Sequence, residues 1–467
     1  MNNKLHDAME QISDTFIADA AVPKKHHNAR WLGAVAALLA IVLLSALTFP
    51  ALRPSSSPNV TTTPILQNPT EATVNTSATT GTVAPAPTFD QVATAVLPAS
   101  SSSHTQNYDG KTRQALAAIT EALLADNAGT NPVCSPLNVY VALAALAETT
   151  DGSSRSQILH ALGENDLYAL RAEAQRIWED HYANKTYQTL LATSLWIDTD
   201  LSYDQSTANA LAEYYYSSVY YGDLNADAME RALKDWLDQQ TGGLLHDHIQ
   251  SISLPSDTML ILASTIYYRA QWLSSYQFSK GNNTQGIFHT SNGVVTTTFM
   301  NDTLTGHPIF TGENFTATYI PLDDGSSMWF ILPDVGVDPR SVVNGMNQSP
   351  TSENVWIHFS VPKFDITGNQ DLSQSLKALG IIDVFGPNAE FSIIPGSDAA
   401  LGANHVARVT IDEKGVEAAA YVLGTIAPTA PAPTKEVDFV LDRPFAFNIV
   451  SSSGISLFAG VVNNPTA

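Results

Sequence analysis

Regularly spaced apolar residues begin near residue 108 and continue to the end of the chain. Over Lys111–Asn127, the side chains of Leu116, Ile119 and Leu123 fall on one face at helical spacing, which predicts an amphipathic helix. We therefore expect the patterned part of the chain to open with a helix that packs by one side on a core.

Two further helices are predicted downstream. Ser135 followed by Pro136 combines a favourable N-cap residue with proline at the first helical position, ahead of an apolar run that reaches Glu148. The next helix is expected over 153–162, where Gly163 supplies the residue type that commonly ends a helix. The first part of the domain is therefore predicted to be mainly helical.

Strands dominate the later sequence. Residues 257–272, DTMLILASTIYYRAQW, are apolar on both faces, as expected for a central strand that is covered on two sides. Residues 356–367 and 437–462 add β-rich segments that turn residues separate. Because helices come first and strands follow without strict alternation, we predict an α+β domain.

An uncharged apolar run occupies the N-terminal region. Residues 31–49 contain no charge and approach the ~20 residues that a helix needs to cross a bilayer. Lys24, Lys25 and Arg30 precede the run, and this positive charge predicts a cytoplasmic N-terminus. A cleaved signal peptide is the alternative, although the long leader argues against it. A lipoprotein anchor is excluded, since no cysteine lies nearby.

Residues 54–106 consist largely of Ser, Thr, Pro and Ala, a composition that cannot bury enough apolar surface to offset chain entropy. The expected organisation is a cytoplasmic segment 1–30, a transmembrane signal-anchor helix 31–52, a disordered stalk 53–107 and a folded domain 108–467. We expect this domain to lie outside the cytoplasm on a single-pass cell-membrane anchor, or to be shed or secreted.

Charge and cysteine content exclude several function classes. The net charge is −23, with 22 Lys+Arg against 45 Asp+Glu, which leaves no basic groove for nucleic acid. The single cysteine, Cys134, cannot form an intramolecular disulfide and lies in an apolar stretch. We expect it to be a small core residue, with a reactive thiol as the alternative.

Motifs of common enzymes do not occur in the chain. There is no GxSxG elbow, no GxGxxG, no phosphate-binding loop and no HExxH. His246 and His248 come nearest to a metal pair, but no third ligand is evident, and an exposed polar turn is the other interpretation. We therefore expect no enzyme, no cofactor and no bound metal; a hydrolase that uses Cys134 or a serine stays as an alternative.

Five segments, in order, are similar to signatures of the serpin family of serine protease inhibitors. They are NPVCSPLNVYVALAALAETTDGSSRSQILHALG at 131–163, LKDWLDQQTGGLL at 233–245, LILASTIYYRAQW at 260–272, HVARVTIDEKGVEAAA at 405–420 and DRPFAFNIVSSSGISLFAGVVNNP at 442–465. The last resembles the family's C-terminal PF…LFxGxxxxP pattern. The resemblance implies the serpin fold, a large central mixed β-sheet with helices around it and an exposed reactive loop, and we expect a bacterial, membrane-anchored member.

The resemblance also implies a mechanism in which the protease supplies the chemistry. A serine protease attacks the exposed loop and forms an acyl-enzyme through its own serine. The cleaved loop then inserts into the central sheet as a new strand, and release of stored strain distorts the protease before hydrolysis is complete. The expected partners are therefore serine proteases, and we expect the chain to be a monomer.

The segment HVARVTIDEKGVEAAA is similar to the strand and hinge before the reactive loop. The hinge residues that it implies are Glu413, Gly415, Val416, Glu417, Ala418, Ala419 and Ala420. Strand alternation from there predicts the core-facing set Val416, Ala418, Ala420, Val422, Gly424 and Ile426. None is charged, and no proline interrupts the segment before Pro428. We expect insertion to be possible, and we expect Val416 to be exposed beforehand, so that Val416→Arg would still fold.

Two further sites follow from the resemblance. Ser135, Asn138, Ser264 and His405 align with a buried hydrogen-bonding cluster beneath the part of the sheet that opens, with serine and asparagine exchanged relative to the family. Trp272 aligns with a tryptophan near the point where the loop first enters the sheet. A satisfied core histidine and an ordinary core aromatic are the simpler interpretations.

Family spacing from the hinge glutamate places the cleaved bond at Thr429-Ala430, with Ile426-Ala427 as the nearest alternative. No lysine or arginine lies within 415–434, so a trypsin-like protease lacks a specificity anchor. A small uncharged residue before the cut suits elastase-like or subtilisin-like enzymes. We therefore expect a suicide-substrate inhibitor; a non-inhibitory family member that acts as a binding or carrier protein is the alternative.

Overall fold

The fold is taken from a computed structural model of the chain. It describes residues 37–42 (backbone), 89–95, 108, 110–125, 130–181, 188–243, 245–252, 254, 258–394, 403–416 and 435–467. The fold within these ranges is α+β, as predicted from the order of helices and strands.

Seventeen strands are present in the described ranges. Their bounds are β1 Ala37–Val42, β2 Phe89–Ala93, β3 Val133–Cys134, β4 Gln188–Ile197, β5 Ser217–Gly222, β6 Leu260–Gln271, β7 Thr284–Thr290, β8 Gly293–Thr311, β9 Phe315–Pro321, β10 Ser327–Pro333, β11 Thr351–Pro362, β12 Phe364–Asp371, β13 Asn404–Ile411, β14 Gly415–Val416, β15 Glu436–Val440, β16 Phe445–Val450 and β17 Ser456–Val462.

The strands form two mixed sheets. The central sheet has the order β12-β13-β1-β6-β4-β5-β2, and β14 pairs with the far end of β6. The second sheet has the order β15-β11-β8-β9-β10-β16-β17-β3, with β7 beside β8. The parallel pairs β4–β5 and β11–β15 make each sheet mixed. The predicted apolar segment 257–272 is confirmed as a strand, β6, in the middle of the central sheet.

Eight helices lie in the described ranges: α1 Gly110–Leu124, α2 Pro136–Thr149, α3 Gly152–Ala161, α4 Leu167–His181, α5 Gln205–Tyr214, α6 Asp227–Gln240, α7 His246–Gln250 and α8 Ser373–Ala378. Short 3-10 turns occur at Ser274–Tyr276, Lys280–Asn282, Pro339–Val342, Gly345–Gln348 and Asp383–Phe385. The first three predicted helices are confirmed as α1, α2 and α3.

Helix α2 forms the centre of the domain. Its cap is the predicted one, because the Ser135 Oγ accepts a hydrogen bond from the Asn138 backbone N–H at 3.2 Å and Pro136 is the first helical residue. Every residue of α2 is buried, as expected for a helix that is apolar all round. The helix packs on β6 and β17, and thereby holds the two sheets on one core.

Residues 89–95 correct the predicted stalk of 53–107. Phe89–Ala93 is not disordered but forms β2, antiparallel to β5 at the edge of the central sheet. The prediction averaged composition over fifty residues, and this hid a short segment with one aromatic and one β-branched residue. The unpaired edge of β5 gives such a segment backbone partners.

Residues 37–42 lie within the transmembrane helix predicted for 31–52 and form a strand in this fold. Ala37–Val42 is the strand β1, antiparallel to β13 on one side and to β6 on the other. Leucine, isoleucine, valine and alanine suit a buried strand as well as a membrane helix, so the apolar run alone does not decide between them. Among the described residues, no helix combines the length and the apolar character needed to cross a bilayer.

Candidate functional site

The hinge, residues Glu413–Val416, lies at the end of β6. Gly415 and Val416 form β14, paired with Gln271 and Ala270. Gly415 has a φ of +146°, and a Cβ there would lie 2.5 Å from the Gln271 Cα. A glycine is therefore required at this position, both for the backbone conformation and for the close approach to β6.

Val416 departs from expectation. It was predicted to be exposed before insertion, but its side chain is fully buried, and it is already paired with Ala270 of β6. An arginine at position 416 would therefore place a charge in the core of the present fold, and Val416→Arg would test folding rather than insertion. A test of insertion has to use a later residue of the loop.

The carboxylate of Glu413 anchors the hinge. Its side chain is 4% exposed, and its Oε1 lies 2.5 Å from the Lys363 Nζ and accepts a hydrogen bond from the Asn283 Nδ2 at 2.6 Å. Burial alone raises the pKa of Glu413, but the bonds from Lys363 and Asn283 outweigh it, and the net shift of this pKa is downward. Neither partner was predicted from the sequence, since both lie far from the hinge along the chain.

Trp272 lies directly beside the hinge. Its indole N–H donates to the Asp412 carbonyl oxygen at 2.8 Å, and its backbone N–H donates to the Lys414 carbonyl oxygen at 3.0 Å. The ring is fully buried and packs edge-on against Phe278, with a centroid distance of 5.9 Å. The structure therefore brings Trp272 and the hinge together at the end of β6.

The slot is the strand position between β6 and β13, and β1 occupies it. Ala37 pairs with Tyr268 and Val42 with Ala263 on the β6 side. Strand β14 follows on the same edge of β6, at Ala270 and Gln271. Because β1 is antiparallel to both neighbours, the slot satisfies the backbone groups of a strand on both sides.

The predicted hydrogen-bonding cluster lies beneath the slot, and the structure brings its four residues together. The Ser264 Oγ donates to the Asn138 Oδ1 at 2.6 Å, and the Asn138 Nδ2 donates to the Ser264 carbonyl oxygen at 3.3 Å. The Ser135 backbone N–H donates to the His405 Nε2 at 3.2 Å. All four are buried, so the exchanged serine and asparagine still satisfy each other across α2 and β6.

His405 is held as a neutral imidazole. Burial without an opposite charge lowers its pKa from 6.5 to about 3. Its Nε2 accepts a hydrogen bond, so the proton lies on Nδ1, for which the described residues offer no partner. Protonation of Nε2 would remove this acceptor, so that the N–H groups of His405 and Ser135 would face each other under the slot.

The stability of the fold is expected to fall as the pH drops below 6.5, partly because of His405. The unfolded chain protonates this histidine near pH 6.5 and the folded chain only near pH 3, so its stabilisation is complete above 6.5 and decreases towards 3. Between pH 6.5 and 5 the loss is on the order of 2 kcal/mol. Urea unfolding midpoints at several pH values, compared between the parent and His405→Gln, measure it.

His181 is also buried with a lowered pKa, caused by desolvation, and contributes in the same direction. The His405→Gln variant retains the contribution of His181, so the difference between the pH profiles of the parent and the variant gives the contribution of His405 alone. Equal slopes in the parent and the variant would contradict the assignment of a neutral buried imidazole.

Several predicted site residues lie outside the described ranges. These are Glu417, Ala418, Ala419 and Ala420 of the hinge and the bond Thr429-Ala430. Cys134 is buried in the core, and burial raises the pKa of its thiol well above the usual range. His246 is exposed and begins the short helix α7, and its Nδ1 lies 3.0 Å from the Asp238 Oδ2. Within the described ranges, no group of three or more His, Cys, Asp or Glu side chains is placed to hold a metal ion.

Comparison with known families decides to which family the chain belongs. The profile of the family described as Serpin (serine protease inhibitor) matches residues 113–465, about three quarters of the chain. This chain belongs to the serpin family. Members of the family are in general inhibitors and not catalysts.

Related proteins and structures give the same fold. Serpin-Z1C of Triticum aestivum is 26% identical over 364 residues, covering 73% of this chain and 91% of its own. The native state of the thermophilic serpin Tengpin superposes with a TM-score of 0.65, 20% identity and coverage of 79% and 97%. Thyroxine-binding globulin in complex with thyroxine gives 0.64, 23% identity and coverage of 77% and 100%. Serpin-Z1C is a plant protein and lends no support to the expected bacterial origin.

Proposed function

We propose that this serpin is a suicide-substrate inhibitor of serine proteases that traps the acyl-enzyme by inserting its cleaved loop into the slot. The observation that carries the proposal is the register at the hinge. Val416 already pairs with Ala270 on the edge of β6 that borders the slot. A strand that continued this register beyond Val416 would run along the slot.

Extending this register predicts how the loop would fit. Each step along the loop moves one residue back along β6, so Ala418 would lie opposite Tyr268 and Leu423 opposite Ala263, where Ala37 and Val42 now lie. Directly opposed residues share a face of the sheet. The core-facing partners on β6 would then be Ala270, Tyr268, Ile266 and Ser264, all buried. This agrees with the core-facing loop residues expected from the sequence, and it means that insertion displaces β1.

The proposed targets are elastase-like or subtilisin-like proteases, cleaving at Thr429-Ala430. Support comes from the absence of lysine and arginine within 415–434 and from the small residue before the bond. A net charge of −23 also favours encounter with a cationic protease, an effect that salt weakens.

Incubation with pancreatic elastase tests the proposed function. We expect a complex that resists SDS and a released C-terminal fragment whose mass begins at Ala430. Thr429→Arg is the matched variant: it should lose the complex with elastase and gain one with trypsin, since the residue before the bond sets the protease class. A fragment that starts after Pro433, or a parent that traps trypsin and not elastase, would overturn the assignment. Cleavage by elastase without any stable complex would refute inhibition itself.

A carrier function is the second candidate, and one cavity bears on it. The cavity lies between α1 and the second sheet, lined in part by Arg113, Trp329 and Asn344. Its volume is about 170 Å³. Pockets for drug-sized ligands measure roughly 300–1,000 Å³, so this cavity by itself gives no support to carriage of such a ligand.

We also propose that the domain acts outside the cytoplasm. The support is the positive charge at Lys24, Lys25 and Arg30 before the apolar run. Ala37–Val42 of that run lies in the slot, so membrane insertion and this fold are alternative uses of the same residues. Cell fractionation followed by alkaline carbonate extraction tests the location: recovery only in the cytoplasmic fraction would exclude it.

A further inference from the structure

An edge strap, residues 89–95, precedes the family-matched region and binds to the side of the central sheet. Its strand β2 pairs with β5, from Phe89 opposite Gly222 to Ala93 opposite Val219. Two side chains of the domain hold it further: the Gln205 Nε2 of α5 donates to the Val92 carbonyl oxygen at 3.2 Å, and the Ser218 Oγ accepts from the Ala95 N–H at 3.3 Å. The strap is therefore part of the folded domain.

Phe89 is the apolar anchor of the edge strap. Its ring lies 6.1 Å from Trp196 of β4 and 5.9 Å from Tyr220 of β5, measured between centroids. Trp196 and Tyr220 stack on each other at 4.2 Å. Aromatic pairs at these distances contribute beyond the area that they bury, so the three rings form one cohesive contact.

The backbone of β5 is shaped to receive the strap. A Cβ on Gly222 would lie 2.8 Å from the Phe89 Cβ and 3.1 Å from the Met229 Cε of α6. The first distance is shorter than real Cβ contacts allow, so a larger residue at 222 would displace the strap. Gly222 thus lets the strap, β5 and the first turn of α6 meet at one point.

Helix α6 packs on β6 of the central sheet, beside the slot. Its buried residues Met229, Leu233 and Leu237 share a small core with Ile261 and Ala263 of β6 and with Val406 of β13. These two strands are the walls of the slot, and the small core that α6 shares with them lies at the lower part of the slot. Phe89 packs against this same core. A strand that enters the slot as far as Ala263 therefore reaches the core that holds α6 on the sheet.

We propose that the edge strap clamps α6 onto the central sheet and thereby limits how readily the lower part of the slot admits a strand. The limit on strand entry rests on the proposed function, because it concerns entry of the cleaved loop. The clamping of α6 by the strap concerns the fold alone. Phe89 thus acts on the trapping step without contact with the protease or the loop.

Hydrogen exchange of the full-length chain tests the clamp. Phe89→Ala removes the anchor from the strap, and Gly222→Val expels the strap from the side of the domain. Each should accelerate amide exchange in α6 about tenfold, the change that a loss of about 1.4 kcal/mol produces. Amide exchange in α6 of the double variant should be no faster than in the single variants, because both substitutions act by releasing the same strap. Asp90→Ala, an exposed position on the same strand, is the control and should leave α6 unchanged.

Two results would overturn the clamp. One is unchanged exchange in α6 in the Phe89→Ala variant; the other is equal acceleration in β16 and β17 of the second sheet, which would mean general destabilisation. Spontaneous loss of elastase trapping during warm incubation is the second readout, and it should be faster in Phe89→Ala than in Asp90→Ala. A parent that traps no protease would refute the proposed function while the exchange result still decides the clamp.

Discussion

Cleavage of the loop within 424–430 is expected to raise the thermal unfolding midpoint of the domain by about 20 °C. A shift of this size corresponds to roughly 10 kcal/mol of added free energy of unfolding. The gain has two sources. The cleaved loop would extend the hinge strand down the slot with backbone partners on β6 and β13, and it would bury Val422 and Ile426 on the core face. Replacing the six-residue β1 by a longer strand increases both the number of backbone hydrogen bonds and the apolar area that is buried.

Differential scanning calorimetry of intact and nicked protein measures this change. The control is protein incubated in the same way with an inactivated protease, which keeps its loop intact. Its melting curve should match that of the intact protein. An unchanged or lower midpoint after cleavage within the loop would contradict both loop insertion and the proposed inhibition.

The second large effect is expected from Ala420→Arg, which should abolish trapping. In the register set by Val416, residue 420 would lie opposite Ile266, a fully buried residue on the core face. Burying an unpaired guanidinium there costs several kcal/mol, so insertion should stall after cleavage. The variant should be cleaved by elastase as an ordinary substrate, with at least a tenfold rise in the inhibitor required per protease inactivated.

Ala419→Arg is the matched control for this variant. It adds the same charge one residue earlier, on the opposite face of the predicted strand. It should retain most of the trapping, as seen by the SDS-stable complex. If both variants trap elastase equally well, the assignment of core-facing positions is wrong; if both lose trapping, charge in the loop matters regardless of face.

Local sequence signals predicted much of the fold. Ser135-Pro136 marked the start of α2, and the two-sided apolar run at 257–272 marked β6, because capping and periodicity depend on neighbouring residues alone. The hinge and the buried cluster were located through the serpin resemblance, and the structure places their described members at the end of β6 and beneath the slot.

Local sequence patterns could not predict contacts between segments that are distant along the chain. Lys363 and Asn283 are unremarkable surface residues in the sequence and become partners of Glu413 only through the arrangement of the strands. Phe89 is a single aromatic in a Ser/Thr/Pro-rich region, and its role depends on Gly222 far along the chain. Composition and periodicity carry no information about which edge of a sheet is free.

The apolar run near the N-terminus shows a different limit. Ala37–Val42 satisfies the requirements of a membrane helix and of a strand buried on both faces, because both demand uncharged side chains. The slot offers backbone partners on two sides, and this tertiary context, absent from any local pattern, is what makes the strand possible.

The edge strap and the hinge lie at opposite ends of the central sheet. Its first residue, Phe89, lies opposite Gly222, at the same end of the central sheet as the start of β6, whereas the hinge pairs with the last residues of β6. Eleven strand steps along β6 separate these ends, about 35 Å. The edge strap and the root of the reactive loop are therefore anchored at opposite poles of the central sheet, and a protease engaged near the hinge lies about the length of β6 away from Phe89.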